Sequence, residues 1–341
     1  MSRHAFAAAF GGVSCALVLS ACSSHDVSLD ASPVSMLADA GPGTELILDR
    51  TEAPILSHLA LDDERLYWID YVGKVQSCRK DACASTVQTY ASSNSFSGNF
   101  AIGGEYLYWL TGDGTIFTCP RSGCPVTPFR VFQDPEYQQD AAPPLAADAD
   151  NVYWPASSGE LYRCPVSGCG GVPELVATAQ SVSTPIIAAE NAYFMATAAR
   201  NNSIEYAPTD GSTPARVVVT LPKISLFGVR GTDVFWSDSD GQVSTCSSTS
   251  CASTTSTVLP GISNGYRGAF SVVGDTLYWQ ELAVQNGPVR SCQIATCGTS
   301  APATPVASNA LSYVVDDQSL YWVDTNNGAY GSAIRRLTLP F

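Results

Sequence analysis

The sequence predicts an all-β fold, a seven-bladed β-propeller with four antiparallel strands per blade. The first observation is a tripeptide that recurs seven times: Leu66-Tyr67-Trp68, Leu107-Tyr108-Trp109, Val152-Tyr153-Trp154, Ala192-Tyr193-Phe194, Val234-Phe235-Trp236, Leu277-Tyr278-Trp279 and Leu320-Tyr321-Trp322. The second is its spacing. The third position advances by 41, 45, 40, 42, 43 and 43 residues, which is the length of one propeller blade. All six tryptophans stand at that position, and Phe194 takes it in the fourth repeat. The third observation concerns the faces. Successive side chains of a strand point to opposite sides, so Leu and Trp bury one face and Tyr the other. A strand apolar on both faces lies between two layers, as a blade does between its neighbours.

Each repeat divides into strands A to D. In the first, A is expected near His58–Asp62, B at Leu66–Ile69, C at Lys74–Cys78 and D at Thr86–Tyr90. No window of the mature domain sustains the i, i+3, i+4, i+7 apolar spacing of a helix. The last repeat reaches its C strand near Ser332–Leu337 and has no D strand. Ahead of the first repeat lies a surplus strand, Glu45-Leu46-Ile47-Leu48-Asp49, which resembles the D segment Glu174-Leu175-Val176-Ala177. It is expected to complete blade seven, with Leu46 and Leu48 docked near Ile334–Leu337, and so to remove an open sheet edge.

Residues 1–21 read as a signal peptide, with Arg3 as the positive region and Ala5 to Leu19 as the apolar stretch. It ends Leu19-Ser20-Ala21-Cys22, which resembles a bacterial lipobox. That resemblance implies lipid on Cys22, anchoring the chain without spanning the membrane. Residues 22–43 then form a disordered tether rich in Ser, Asp, Ala, Pro and Gly, and 44–341 the propeller. The expected location is extracytoplasmic, on the outer membrane or the periplasmic face of the envelope.

Of twelve cysteines, Cys15 lies in the signal and Cys22 is the anchor. The other ten form five pairs of one spacing: Cys78 with Cys83, Cys119 with Cys124, Cys164 with Cys169, Cys246 with Cys251, and Cys292 with Cys297. An even set in an exported chain reads as disulfides, here stapling facing positions at the mouth of each C–D hairpin. A shared zinc site would need four ligands, and these pairs fall on five different blades. Blade four replaces its pair with Tyr206 to Gly211, and blade seven has Leu337 where a first cysteine would stand.

Without the signal, 16 basic residues face 31 acidic ones, which disfavours nucleic acid and anionic membrane surfaces as partners. No Gly-x-Ser-x-Gly elbow or phosphate-binding glycine loop is present. His58 is the one histidine in the propeller, and it reads as structural. Asp238-Ser-Asp240-Gly241 reads as a β-turn, because it lacks the further oxygen ligands of a calcium loop.

The stretches Tyr67-Trp-Ile-Asp70, Phe235-Trp-Ser-Asp238 and Tyr321-Trp-Val-Asp324, with the following Gly73-Lys-Val-Gln-Ser-Cys78 step, resemble the repeats of YWTD and NHL-like propellers. The aspartate gives way to Thr111, Ala156, Ala196 and Glu281 in the other blades, and the cysteine hairpin is foreign to YWTD repeats. With that hairpin the chain also resembles cysteine-rich secreted lipoproteins of myxobacteria.

Propellers usually bind on the face built from B–C and D–A loops, around the central channel. The longest such loops are expected at Gln133–Pro143, Thr197–Ser203, Leu282–Pro288 and Thr325–Gly331. Tyr71, Tyr137, Arg200, Tyr266, Arg267, Glu281 and Tyr330 are the candidate ligand-binding residues, by stacking and hydrogen bonding. The function expected is a monomeric, surface-tethered module binding a protein, peptide or glycan, with no cofactor and no resident metal. The alternative is a metal-assisted hydrolase or lyase, using channel carboxylates at the strand A ends: Asp62, Asp148, Glu190, Asp233, Asp275 and Asp316.

Overall fold

A computed structural model describes residues 43–50, 55–70, 73–92, 96–125, 127–134, 143–156, 158–198, 201–261, 267–281, 287–298, 304–325 and 332–339. Residues 1–42, which include Cys22, the expected signal peptide and all but the last residue of the expected tether, lie outside the described residues. The first strand, β1 (Thr44–Arg50), does not pair within the first repeat. Blade one is β2 (Ile55–Leu61), β3 (Arg65–Asp70), β4 (Lys74–Arg79) and β5 (Gln88–Ser92). Blade two is β6 (Phe96–Gly103), β7 (Tyr106–Thr111), β8 (Thr115–Pro120) and β9 (Phe129–Gln133). Blade three is β10 (Ala146–Ala147), β11 (Asn151–Pro155), β12 (Glu160–Pro165) and β13 (Glu174–Thr178). Blade four is β14 (Val182–Ala188), β15 (Asn191–Ala198), β16 (Asn201–Pro208) and β17 (Arg216–Leu221). Blade five is β18 (Leu226–Arg230), β19 (Asp233–Ser237), β20 (Val243–Ser247) and β21 (Ser256–Leu259). Blade six is β22 (Arg267–Val273), β23 (Thr276–Glu281), β24 (Val289–Gln293) and β25 (Thr304–Ala307). Blade seven is β26 (Ala310–Val315), β27 (Ser319–Asp324) and β28 (Ser332–Thr338), with β1 as its fourth strand.

Each blade is a four-stranded antiparallel sheet whose neighbouring strands follow one another in the chain, blade seven excepted for its borrowed β1. The inner strands contact one another in turn, from β2 through β6, β10, β14, β18 and β22 to β26, and β26 contacts β2. The ring is closed. Among the described residues, short helical turns occur only where the second cysteine of a pair opens them, at Cys83–Ser85 and Cys251–Thr254.

The tripeptide builds the seams. Tyr67 packs with Leu107 and Trp109 of the next blade, and Tyr108 packs with Val152 and Trp154. The relation repeats around the ring until Tyr321 of blade seven meets Leu66 and Trp68 of blade one. Every tripeptide residue is buried. One face of each B strand therefore packs backwards and the other forwards, as the two-sided pattern requires.

A second seven-fold feature was not legible as such in the sequence. Every C–D pairing slips by one residue, leaving Tyr90, Val131, Val176, Val218, Val258, Val306 and Ile47 as the extra residue on the outer strand. A bulge of this kind bends the strand and sharpens its twist. Its presence in β1 makes that strand the seventh D strand by geometry as well as by position. It also corrects an expectation. Leu46 is 40% exposed, whereas Ile47 and Leu48 are both buried, because the bulge turns two consecutive side chains inward.

The five disulfides join the expected partners: Cys78–Cys83, Cys119–Cys124, Cys164–Cys169, Cys246–Cys251 and Cys292–Cys297. Their Cα–Cα distances are 4.7, 5.1, 5.3, 4.8 and 5.2 Å. Their placement corrects the expectation of a staple between facing strand positions. Cys78, Cys119, Cys164, Cys246 and Cys292 each stand next to last in strand C, opposite the first residue of the tripeptide. Cys83, Cys124, Cys169, Cys251 and Cys297 pair with no strand and lie in the loop before strand D. In blade six, for example, Cys297 falls between Gln293, the last residue of β24, and Thr304, the first of β25. The physical reason is that strand D begins several residues beyond the loop cysteine, so no residue of D faces the first cysteine. Cys292 and Cys297, both partly buried, pack against the Phe235–Trp279 seam core, so this staple fastens the loop to the blade wall. In blade four the residue in the first-cysteine register is Ala207, facing Ala192, rather than Tyr206. Blade seven has Leu337 facing Leu320, as expected.

Candidate functional site: the outer groove of blades two and three

Of the loop-face candidates, Tyr71, Tyr137, Arg200, Tyr266 and Tyr330 lie outside the described residues. Arg267 opens β22, paired in register with Glu281, and its side chain is not described. Glu281 ends β23, half-buried, with its carboxylate 2.6 Å from Arg290 Nε. That pair ties the B and C strands of blade six together. The expected loop at Thr197–Ser203 is largely strand, because β15 and β16 pair out to Ala198 and Asn201.

Five of the six strand A carboxylates are engaged at A–B turns or seams, whereas Glu190 is exposed and accepts the Thr209 amide at 3.0 Å through its backbone carbonyl. Asp62 Oδ1 accepts hydrogen bonds from the Glu64 and Arg65 amides, both at 2.8 Å, and Oδ2 accepts from the Tyr67 hydroxyl at 2.6 Å. Arg121 of the next blade adds a charged partner to the same oxygen. Burial works against ionisation of Asp62, but these hydrogen bonds outweigh it and hold the carboxyl below the ordinary aspartate range. Asp148 caps its turn in the same way, with Tyr153 as its hydroxyl partner. Asp316 accepts the Gln318 and Ser319 amides and pairs with Lys80 across the closing seam at 2.7 Å. Its carboxyl too lies low, the same donors overcoming burial. Arg230 links Asp233 and Asp275 across the seam of blades five and six. These groups hold turns and seams, so the proposed convergence on a channel ion is not their arrangement. His58 is exposed on β2.

Two aspartates of the YWTD-like stretches, Asp70 and Asp238, are also turn-formers. Asp70 Oδ1 accepts the Lys74 amide at 2.9 Å. Asp238 Oδ1 accepts the Asp240 and Gln242 amides at 2.9 and 3.0 Å, closing a β-turn in which Gly241 adopts φ +73°. Asp324 pairs with Arg335 in the blade interior.

The surface feature that sequence reasoning missed lies on the outer rim. Phe129, Val172, Leu175 and Val217 are exposed by 49%, 76%, 52% and 58%, and all four belong to blades two to four. Phe129 borders two adjoining cavities. One, of about 380 Å³, is walled by Tyr106, Pro120, Pro125, Phe129 and Val166. The other, of about 420 Å³, runs along all of β9 and is faced by Ser167, Gly168, Gly170 and Gly171 of the blade-three loop. The disulfides Cys119–Cys124 and Cys164–Cys169 brace the loops on its two sides. A signal existed in the sequence. Phe129, Leu175 and Val217 are large apolar residues on outer strands, Leu175 and Val217 directly before a buried bulge residue and Phe129 at the start of β9, where polar ones would face water.

No protein-family model matches the chain, and no curated protein sequence does. Solved structures share its fold. A structure described as YCF48 bound to D1 peptide is 11% identical, with TM-score 0.60, over 87% of this chain and 97% of that one. BamB from Moraxella catarrhalis is 14% identical, with TM-score 0.53, over 82% of each chain. The WD40 propeller domain of Doa1 is 12% identical, with TM-score 0.54, over 85% of this chain and 97% of that one. At these identities the likeness is one of fold.

Proposed function

We propose that the chain is a binding propeller for a protein or peptide, held at the cell envelope by lipid on Cys22. The observation that carries this reading is that four of the five exposed large apolar side chains among the described residues lie in three consecutive blades, with Phe129 bordering two adjoining cavities. Exposed apolar side chains scattered singly need no explanation, but a sector of them beside a concavity is the mark of a contact surface. The fold likeness to YCF48, solved with a bound peptide, supports the same class of partner. The lipobox-like Leu19-Ser20-Ala21-Cys22 supports the anchor.

Site-specific photo-crosslinking tests the binding function. A benzophenone amino acid in place of Phe129, Leu175 or Val217, in cells making the full chain, is expected to give discrete adducts. The same probe in place of exposed Glu64 serves as the background. Adducts no different from that background would overturn the reading. Labelling with a palmitate analogue tests the anchor, and undiminished incorporation into Cys22→Ser would refute it.

A further inference from the structure

We infer that β9 is the docking strand for an extended acidic peptide, which adds to the outer edge of blade two and places an apolar side chain in the adjoining pocket. This deepens the binding reading above and rests on it. In the blade-two sheet β9 is the outermost strand, paired with β8 on one side alone. An unpaired strand edge offers a row of backbone donors and acceptors to an incoming strand. The larger cavity follows that strand from Phe129 to Gln133 and is therefore elongated along the direction a peptide would take.

The opposite wall comes close to β9 at one turn and stands back beyond it. An added Cβ at Gly168 would lie 3.3 Å from the Val131 carbonyl oxygen, whereas one at Gly170 or Gly171 would meet no atom within 4 Å, so the loop leaves room beside the groove past Gly168. At the next seam Gly211, the counterpart of Gly168, closes in further: there an added Cβ would lie 2.6 Å from the Leu175 carbonyl oxygen. Two disulfides stiffen the loops around the groove, which lowers the entropy lost on binding.

Charge selects the occupant. Arg130, exposed in the middle of β9, bonds the neutral Gln133 Oε1 at 3.3 Å and forms no ion pair with a carboxylate among the described residues. Two copies of this chain pairing edge to edge would bring two Arg130 side chains together, and like charges across a pairing are destabilising. An acidic residue on an incoming strand would instead meet an available guanidinium. The smaller pocket, lined by Tyr106, Phe129, Val166 and two prolines, takes an aliphatic or aromatic side chain. The chemistry is therefore an extended segment alternating apolar with acidic residues.

The test uses purified full chain in detergent and an array of labelled ten-residue peptides that alternate Val or Leu with Asp, each with a Lys-for-Asp counterpart. Fluorescence anisotropy is expected to show binding of acidic members and not of their basic counterparts. Arg130→Glu should weaken acidic peptides by about tenfold or more and reverse the preference. Phe129→Ala should weaken all binders. Both side chains are exposed, and unchanged melting curves verify that the variants are folded. Hydrogen exchange should slow at the Phe129–Gln133 amides when an acidic peptide is bound. Binding that protects other segments instead would overturn strand addition while leaving the binding propeller intact. No binding by any acidic peptide, with crosslinks still forming from position 129, would overturn the acidic-peptide assignment alone. A concentration-dependent dimer that Phe129→Ala abolishes would assign the edge to a second copy and likewise refute the proposal.

Discussion

Replacing Leu46, Ile47 and Leu48 by alanine, one at a time, separates a bulged closing strand from a regular one. A regular strand would put Leu46 and Leu48 on the same face, and their losses would match. In the bulged strand Ile47 and Leu48 are 8% and 6% exposed, within a cluster that includes Trp68, Tyr321 and Ile334. Truncating a buried Leu or Ile costs about 2–5 kcal/mol, from lost transfer energy and the cavity left behind. Leu46, at 40% exposed, makes a surface substitution and should cost about 0.5 kcal/mol or less. With a urea m-value of about 2–3 kcal/mol/M, Ile47→Ala and Leu48→Ala should each lower the midpoint by roughly 1 M. Leu46→Ala should leave it in place. Equal losses for Leu46→Ala and Leu48→Ala would refute the bulge. No loss for any of the three would refute closure of the ring by β1.

The tyrosine hydroxyls of the seams give a second comparison. Tyr67→Phe and Tyr153→Phe each remove a donor to a turn aspartate and should cost about 1–3 kcal/mol, whereas Tyr108 has a buried hydroxyl without a hydrogen-bond partner among the described residues, so Tyr108→Phe should be neutral or stabilising; thermal melts of the three rank them. Stability should fall under acid. Asp62 and Asp316 ionise below their unfolded value of 3.8, so their contribution is present above that pH and is lost as the pH drops through their folded values. A urea midpoint that holds constant from about pH 5 to pH 2 would contradict this. At the alkaline end the sign reverses. Burial, with nearby carboxylates at Tyr67 and Tyr153, raises the tyrosine values above 10.0, so stability should decline as pH climbs past that value. Loss of a single disulfide, for example Cys246→Ala with Cys251→Ala, should cost no more than about 2 kcal/mol, because the loop it closes is short; calorimetry of the double variant checks it.

The ring and its seams were legible in the sequence because they rest on features that repeat. A two-sided apolar strand recurring every 40 to 45 residues has few folds open to it, and the tripeptide already names the residues of each inter-blade core. The surplus strand before Ile55 and the missing one after Thr338 likewise implied closure. The partners of the five disulfides were legible too, from one repeated spacing, although where Cys297 and its counterparts sit relative to strand D was not. The remainder depended on register and on which neighbour fills a given space. Leu46 points outward because one unpaired residue on β1 shifts the alternation, and the local sequence Leu-Ile-Leu suits either arrangement. The position of Ala207 opposite Ala192 follows from strand pairing across a hairpin, which counting from the cysteines misaligned by one. The turn aspartates looked available for a channel because their partners, Arg121 and Lys80, come from other blades. The groove beside β9 is the clearest case. Gly168 and Gly211 occupy the same turn at positive φ, yet an added Cβ would lie 3.3 Å from a backbone oxygen at the first and 2.6 Å at the second. That difference is set by how two blades lean together, which no single segment of the chain encodes.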